Sequence, residues 1–273
     1  MVVFAGQGDA HRSMSLLWRA EQPERPRRAP GPGPRPGLSV DAIVTAAIAV
    51  ADEDGMAALS MRAVGERLGR TAMALYTYVP GKSELLDLMY DAVHAELPTQ
   101  YTDAVTWRTG LTGWARDTLS FHLRHPWVLQ VSQARPVLGP HEYAALDTLV
   151  RLLNGTGLDA PLLRRLVGTL THFVRGCAGT VAEARQAAAV TGESDEEWWF
   201  ARSALLGEVA PDFADRYPSL SAMESAAAPQ PPSPTPDVDA LPYLEREARQ
   251  TLAVGLDVLL DGIEAAIRRT GTH

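Results

Sequence analysis

LSMRAVGERLGRTAMALYTYVPGK occupies residues 59–82. Ser60 is of the type that caps a helix, and it opens a short one with Val64 and Leu68 turned inward. Gly69 follows, and glycine adopts the left-handed conformation that a tight helix-to-helix turn needs. Thr71 caps a second short helix, with Leu75 and Val79 inward. Two helices joined around a glycine match the helix-turn-helix pattern, whose second helix enters the major groove of DNA. Spacing alone fits equally well an αα corner in any helical protein. The outward positions suit DNA. Thr71, Met73 and Ala74 form a slim surface for thymine methyls and phosphates. Tyr76 and Tyr78 offer hydroxyls, and Arg62 projects from the first helix. Lys82, opening the next helix, adds a charge and a backbone N–H for a phosphate.

Outward from this stretch, the 273-residue chain is helical in pattern almost throughout, and its 46% apolar content can build a core. Ala and Leu dominate, the best helix formers. Apolar stripes predict helices over 40–54, 82–97, 105–125, 140–153, 161–189, 195–208 and 241–268. No strand alternation and no internal repeat is visible, so the expected class is all-α. Residues 1–37 carry six arginines against three acids and are rich in Pro and Gly from 20 onward. They read as a disordered basic arm that either lies along DNA or is a solvated tail. A second Pro-rich break at 225–240 is expected to be a disordered linker.

The formal net charge of −8 argues mildly against nucleic acid, but the placement of charge decides. Residues 38–98 hold four basic residues against nine acids, and many of those acids (Asp41, Asp52, Glu53, Asp54, Asp87, Asp91) fall on helices away from the groove face. No apolar run of 18 residues and no signal-peptide pattern occurs, so neither membrane span nor export is expected. The single cysteine, Cys177, fits a reducing cytoplasm and lies mid-helix, where an inert thiol is expected. No nucleophile elbow, P-loop, dinucleotide fingerprint or metalloprotease helix appears, so no catalytic site and no cofactor are expected. His122 and His125 sit three apart without an evident third ligand, so no metal site is expected.

From Leu38 to Leu97 the sequence resembles, without a gap, the DNA-binding domain of the tetracycline-repressor family. The residues that carry it are Leu59, Ser60, Arg62, Val64, Leu68, Gly69, Leu75, Tyr76, Tyr78, Val79 and Lys82. The resemblance implies DNA contacts at Arg62, Thr71, Ala72, Met73, Ala74, Tyr76, Tyr78 and Lys82. Ala72, Met73 and Ala74 stand where the family's type member has more polar residues, which implies a different operator.

A looser resemblance covers the C-terminal part, through SFHLRHPWVLQVSQARPVLGPHEYAALDTLVRLLNGTGL and the segment EEWWF. It implies a helical ligand-binding domain over 99–273, with the last two long helices forming a homodimer. The homodimer would read a palindromic operator in double-stranded DNA. Candidate pocket residues are the aromatic and polar groups on apolar helices: Trp107, Trp114, His122, Trp127, His141, His172, Arg175, Trp198 and Trp199. Core packing explains each of them singly as well. The type member holds a drug–magnesium chelate through a histidine before an Arg-Pro. Here residues 130–136 read QVSQARP, without a histidine, which speaks against that ligand. The expected function is a cytoplasmic, ligand-responsive transcriptional regulator, released from its operator by a small hydrophobic effector. The rival is an all-helical enzyme or interaction protein with an incidental helix-turn-helix.

Overall fold

The computed structural model describes residues 2–20, 37–101, 106–226 and 241–270. Helices account for nearly all regular structure, and no strand occurs among the described residues beyond one isolated bridge between Val3 and Val131. The contacts divide the chain into two units, residues 1–175 with 259–273, and residues 176–258.

In the first unit, α1 (Ala10–Leu17) is followed by α2 (Val40–Asp54), α3 (Met61–Leu68), α4 (Ala72–Tyr76) and α5 (Lys82–His94). Next come α6 (Trp107–Arg124), a 3-10 turn (Pro126–Gln130) and α7 (Pro140–Leu153). Each start has a local cause. Ser39 accepts from Ala42 N–H at 3.1 Å to open α2, and Thr106 accepts from Thr109 N–H at 3.2 Å to open α6. Gly55, with φ +78°, ends α2 in a conformation that costs a side-chain-bearing residue strain. α2 buries Ile43, Ala47, Val50 and Ala51, the stripe its spacing foretold. α5 is buried on nearly all sides, between α2, α1 and α7.

α5 packs against α2 and against α7 alike. Asp87 and Asp91 are both buried on α5. Asp87 accepts the Gly6 N–H at 2.8 Å. Asp91 Oδ1 accepts the N–H groups of His141 and Glu142, both at 2.9 Å, which caps the open start of α7. Burial pushes both carboxyls above their ordinary pKa, against the pull of these N–H donors. Asp52 on α2 accepts from His125 Nδ1 and Trp127 Nε1, each at 2.8 Å, and so ties α2 to the 3-10 turn.

Over residues 2–20 the expected disordered arm needs correction. Residues 2–20 are ordered, with Ala5 and Leu17 in the core. Apolar positions in MVVFAGQGDAHRSMSLLW found a surface to bury against, which composition does not reveal. The Arg- and Pro-rich stretch 21–36 lies outside the described residues.

α8 (Ala160–Thr191) and α12 (Tyr243–Thr270) are the two long helices. In the second unit, α9 (Asp195–Val209) starts with a full capping box, Ser194 and Glu197 each bonding the other's backbone N–H. Glu245, at the start of α12, is buried and receives Nε and Nη2 of Arg185 on α8, both at 2.9 Å, and Nε of Arg249 at 2.9 Å. The short helices α10 (Phe213–Arg216) and α11 (Pro218–Ala226) follow α9. Ser225 and Ala226 of the expected linker are thus helical, and 227–240 lie outside the described residues.

Candidate functional site

Ser60 opens α3 by accepting the Ala63 N–H at 3.1 Å. α3 ends at Gly69, whose φ of +63° and ψ of +35° lie in the left-handed region. Val64, Leu75 and Val79 are fully buried and hold the two helices together. Gly65 has a role that periodicity did not signal. A Cβ there would lie 2.7 Å from the Arg70 carbonyl oxygen and 3.3 Å from Ala72 N, so only glycine lets α3 pass this close to the turn. Thr71 is extended ahead of α4, but its side chain makes no cap hydrogen bond, contrary to the sequence reading. The Thr71 carbonyl instead accepts the Ala74 N–H at 3.0 Å.

Of the positions the spacing turned outward, Thr71, Met73, Tyr76 and Tyr78 are exposed and Ala74 is not. Met73 is 75% exposed, Tyr76 43% and Tyr78 40%, while Thr71 is exposed. Ala72 and Ala74 are half-buried and pack partly against the core, so they shape the helix as much as its face. Arg62 is exposed and bonds Glu66 Oε1 through Nε at 2.8 Å. Lys82 is exposed and its Nζ donates to the Leu59 carbonyl at 2.6 Å, which pins the start of α5 to the start of the reading head. An ammonium has three donors, so two remain for a phosphate. Arg67 is held by Glu53 in a two-pronged pair at 2.6 and 2.7 Å. Arg70 stands exposed in the turn beside Thr71, and no salt bridge engages it among the described residues.

The nine pocket candidates divide between the two units. Trp114, His122 and Trp127 are buried in the first unit, and Trp107 is half-buried at the start of α6. Trp127 belongs to the core through its bond to Asp52. His141 and His172 are exposed, at the start of α7 and on α8. Arg175 donates to the carbonyls of Leu129 at 2.7 Å and Val131 at 2.8 Å, closing the free end of the 3-10 turn. Trp198 and Trp199 are exposed on α9, in the second unit, with Trp199 against Tyr243 at 6.2 Å between ring centroids. The apolar stripe of α9 is thus not a core stripe within one chain.

What the first unit does bring together is an aromatic and imidazole cluster that periodicity did not single out. Tyr90 packs tilted against His94 with ring centroids 4.5 Å apart, His94 against Phe121 at 5.1 Å, and Phe121 against His122 at 5.2 Å. Burial first, then the Arg175 charge, drives His122 down to about 3. Burial drives His94 down to about 4 and Tyr90 up to about 12. All three are neutral at pH 7, and His122 Nδ1 has no hydrogen-bond partner. Tyr90 also lines a cavity of about 90 Å³ with Val131, Ser132, Gln133, Arg135, Pro136, Val137 and Glu142. The lining is mixed, with Ser132, Gln133, Arg135 and Glu142 as polar and charged groups beside Val131, Pro136 and Val137. Among the described residues no group of three His, Cys, Asp or Glu is placed to hold a metal. No described helix is long and apolar enough to cross a membrane.

Residues 43–89 match the family model of bacterial regulatory proteins of the tetR family. Residues 98–267 match that of the tetracyclin repressor-like C-terminal domain. The HTH-type transcriptional repressor DrrR1 of Streptomyces coeruleorubidus is 36% identical over 265 residues, covering 96% of this chain and 88% of that protein. An HTH-type transcriptional regulator of Saccharopolyspora erythraea is 30% identical over 187 residues, covering 68% and 75%. Among solved structures, ActR of Streptomyces coelicolor in complex with actinorhodin superimposes with a TM-score of 0.65 at 22% identity, over 85% of this chain and 99% of that one.

Proposed function

The chain belongs to the tetR family of bacterial regulatory proteins, and we propose from that premise that it is a repressor released from its operator by a small molecule. The observation that carries this reading is α5 itself. Its first residue, Lys82, is bonded into the reading head, and Tyr90 of the same helix lines the cavity. Eight residues of helix put these two positions about 12 Å apart along the axis. A change at the cavity reaches the head through one rigid, buried rod.

The recognition helix α4 enters the major groove with Thr71, Ala72, Met73 and Ala74 at base edges. Tyr76, Tyr78, Lys82 and Arg62 hold the phosphates, and Arg70 joins them. Base readout rests on methyl and thioether contacts more than on hydrogen bonds. Two chains pair through α8 and α12, so that two heads meet a palindromic site at one helical turn, about 34–36 Å. Val254 and Val258, 66% and 65% exposed on α12, support such a pairing.

The effector lies in the first unit, against α5. The lining, with Tyr90, Val131 and Val137 beside Gln133, Arg135 and Glu142, favours a molecule that pairs an apolar body with several hydrogen-bonding groups. An effector that prefers the released arrangement by about 1–3 kcal/mol weakens operator binding about 5–150-fold. The protein performs no catalysis in this mechanism.

The test is operator binding by purified protein, with DNA from upstream of its own gene, over a salt series and with added compounds. Actinorhodin, the compound in the ActR complex, is the first of these. Salt-sensitive binding relieved by a compound supports the reading. Absence of binding to this DNA and to any selected palindrome refutes it.

A further inference from the structure

Residues 2–20 form a belt tied at three places. Val3 lies beside the segment after the 3-10 turn, donating to the Gln130 carbonyl at 2.8 Å and accepting from Ser132 N–H at 2.7 Å. Gly6, with φ +66°, donates its N–H to Asp87 in the middle of α5. α1 then runs along α5, and Trp18 Nε1 donates to the Leu138 carbonyl at 3.0 Å, with its ring 6.3 Å from that of Tyr143. Ala5 and Leu17 are buried beneath it.

The elements it joins are those that line the cavity. Tyr90 comes from α5, and residues 131–137 run between the anchor points at Gln130 and Leu138. At about 90 Å³ the cavity is several times smaller than the roughly 300 Å³ at which pockets for drug-sized molecules begin. An effector can enter only if α5 and segment 131–137 part. The belt is hydrogen-bonded to both, so parting them strains or frees it.

We propose that residues 2–20 are a strap that holds α5 against segment 131–138 and thereby favours the closed, operator-binding arrangement. This rests on the repressor reading above and adds the element that sets its resting balance. In thermodynamic terms, any contact made only in the closed state shifts the equilibrium toward it, and its loss shifts it back.

The test uses the full-length protein without any ligand. Gly6→Pro removes the N–H that Asp87 accepts and cannot adopt the positive φ. Trp18→Phe keeps a ring but deletes the indole N–H, and it serves if Gly6→Pro folds poorly. Hydrogen exchange is followed by mass spectrometry, and operator binding by titration. We expect faster exchange in both 82–94 and 128–138 and operator affinity lowered about fivefold or more, with exchange in 195–209 unchanged. Wild-type exchange in either segment, or faster exchange with unchanged operator affinity, overturns the strap. If the wild-type protein binds no operator, the repressor reading fails, and unchanged exchange still rejects the strap on its own.

Discussion

Replacing Gly65 by alanine sets two known effects against each other. Alanine is the better helix former in α3 by about 1 kcal/mol. Its Cβ, however, would meet the Arg70 carbonyl oxygen at 2.7 Å, Ala72 N at 3.3 Å and the Thr71 carbonyl carbon at 3.4 Å. All three are backbone atoms of the turn, so no side chain can swing aside. Overpacking of this kind costs about 1–3 kcal/mol, and a rigid backbone neighbour puts it at the upper end. The balance is a loss of about 2 kcal/mol, or about 4–8 °C in Tm for a unit of this size. Relief of the clash pushes α4 away from α3, so operator affinity falls by at least about tenfold, a cost of about 1.4 kcal/mol. Calorimetry and operator titration measure the two effects. Gly207→Ala on α9 is the control: nothing lies within 4 Å of its Cβ, and a gain of about 0.5–1 kcal/mol is expected. A Gly65→Ala protein with wild-type Tm and operator affinity would refute the close approach of α3 to the turn.

Four further outcomes are expected. His94 and His122 have folded pKa values depressed below the unfolded value, so they add stability above about pH 6.5 that is lost as pH falls toward about 4 and 3. Two such groups give a slope of about 2.7 kcal/mol per pH unit in that window; urea melts at pH 7 and 5 should show it, and His122→Leu should roughly halve it. The raised carboxyls of Asp87 and Asp91 act the other way, since their burial cost is relieved as pH falls through their folded pKa values. Thus Asp87→Asn should gain most at neutral pH and nothing below the ordinary carboxylate value of 3.8, as denaturation at pH 7 and 3.5 will tell. Asp52→Ala leaves the ring N–H groups of His125 and Trp127 without their acceptor and should cost about 2 kcal/mol or more in chemical denaturation, with Asp52→Asn milder. Arg70→Ala should lower the salt slope of operator binding by about 0.9 and weaken all sequences alike, whereas an unchanged slope removes Arg70 from the phosphate contacts.

Legibility in the sequence followed the range of the causes. Ser60, Gly69 and the spacing of Val64, Leu75 and Val79 announced the reading head, because caps, a left-handed turn and a 3.6-residue period act within a few residues. For the same reason the bounds of α2, α3 and α7 agree closely with the periodicity. Aromatic content was a partial guide to the cavities. Trp127 serves Asp52 and Arg175 closes a helical turn, Trp198 lines a cavity of about 160 Å³ in the second unit with Ala187 and Leu244, and the cavity beside α5 is lined by Tyr90 and the segment 131–137.

By itself, then, the sequence determined an all-helical chain with a DNA-reading head, since helix caps, turn glycines and apolar periods are local properties of neighbouring residues. Only the tertiary structure decided that Asp52, Asp87 and Asp91 fasten α2 and α5 to distant segments, Asp87 and Asp91 from buried positions and Asp52 from a half-buried one. It also decided that the N-terminal residues are a belt rather than a tail. The physical reason is common to both. Whether a carboxylate meets water or an N–H donor, and whether a few apolar residues find a surface to bury against, depends on partners 50 to 120 positions away, and no local pattern encodes them.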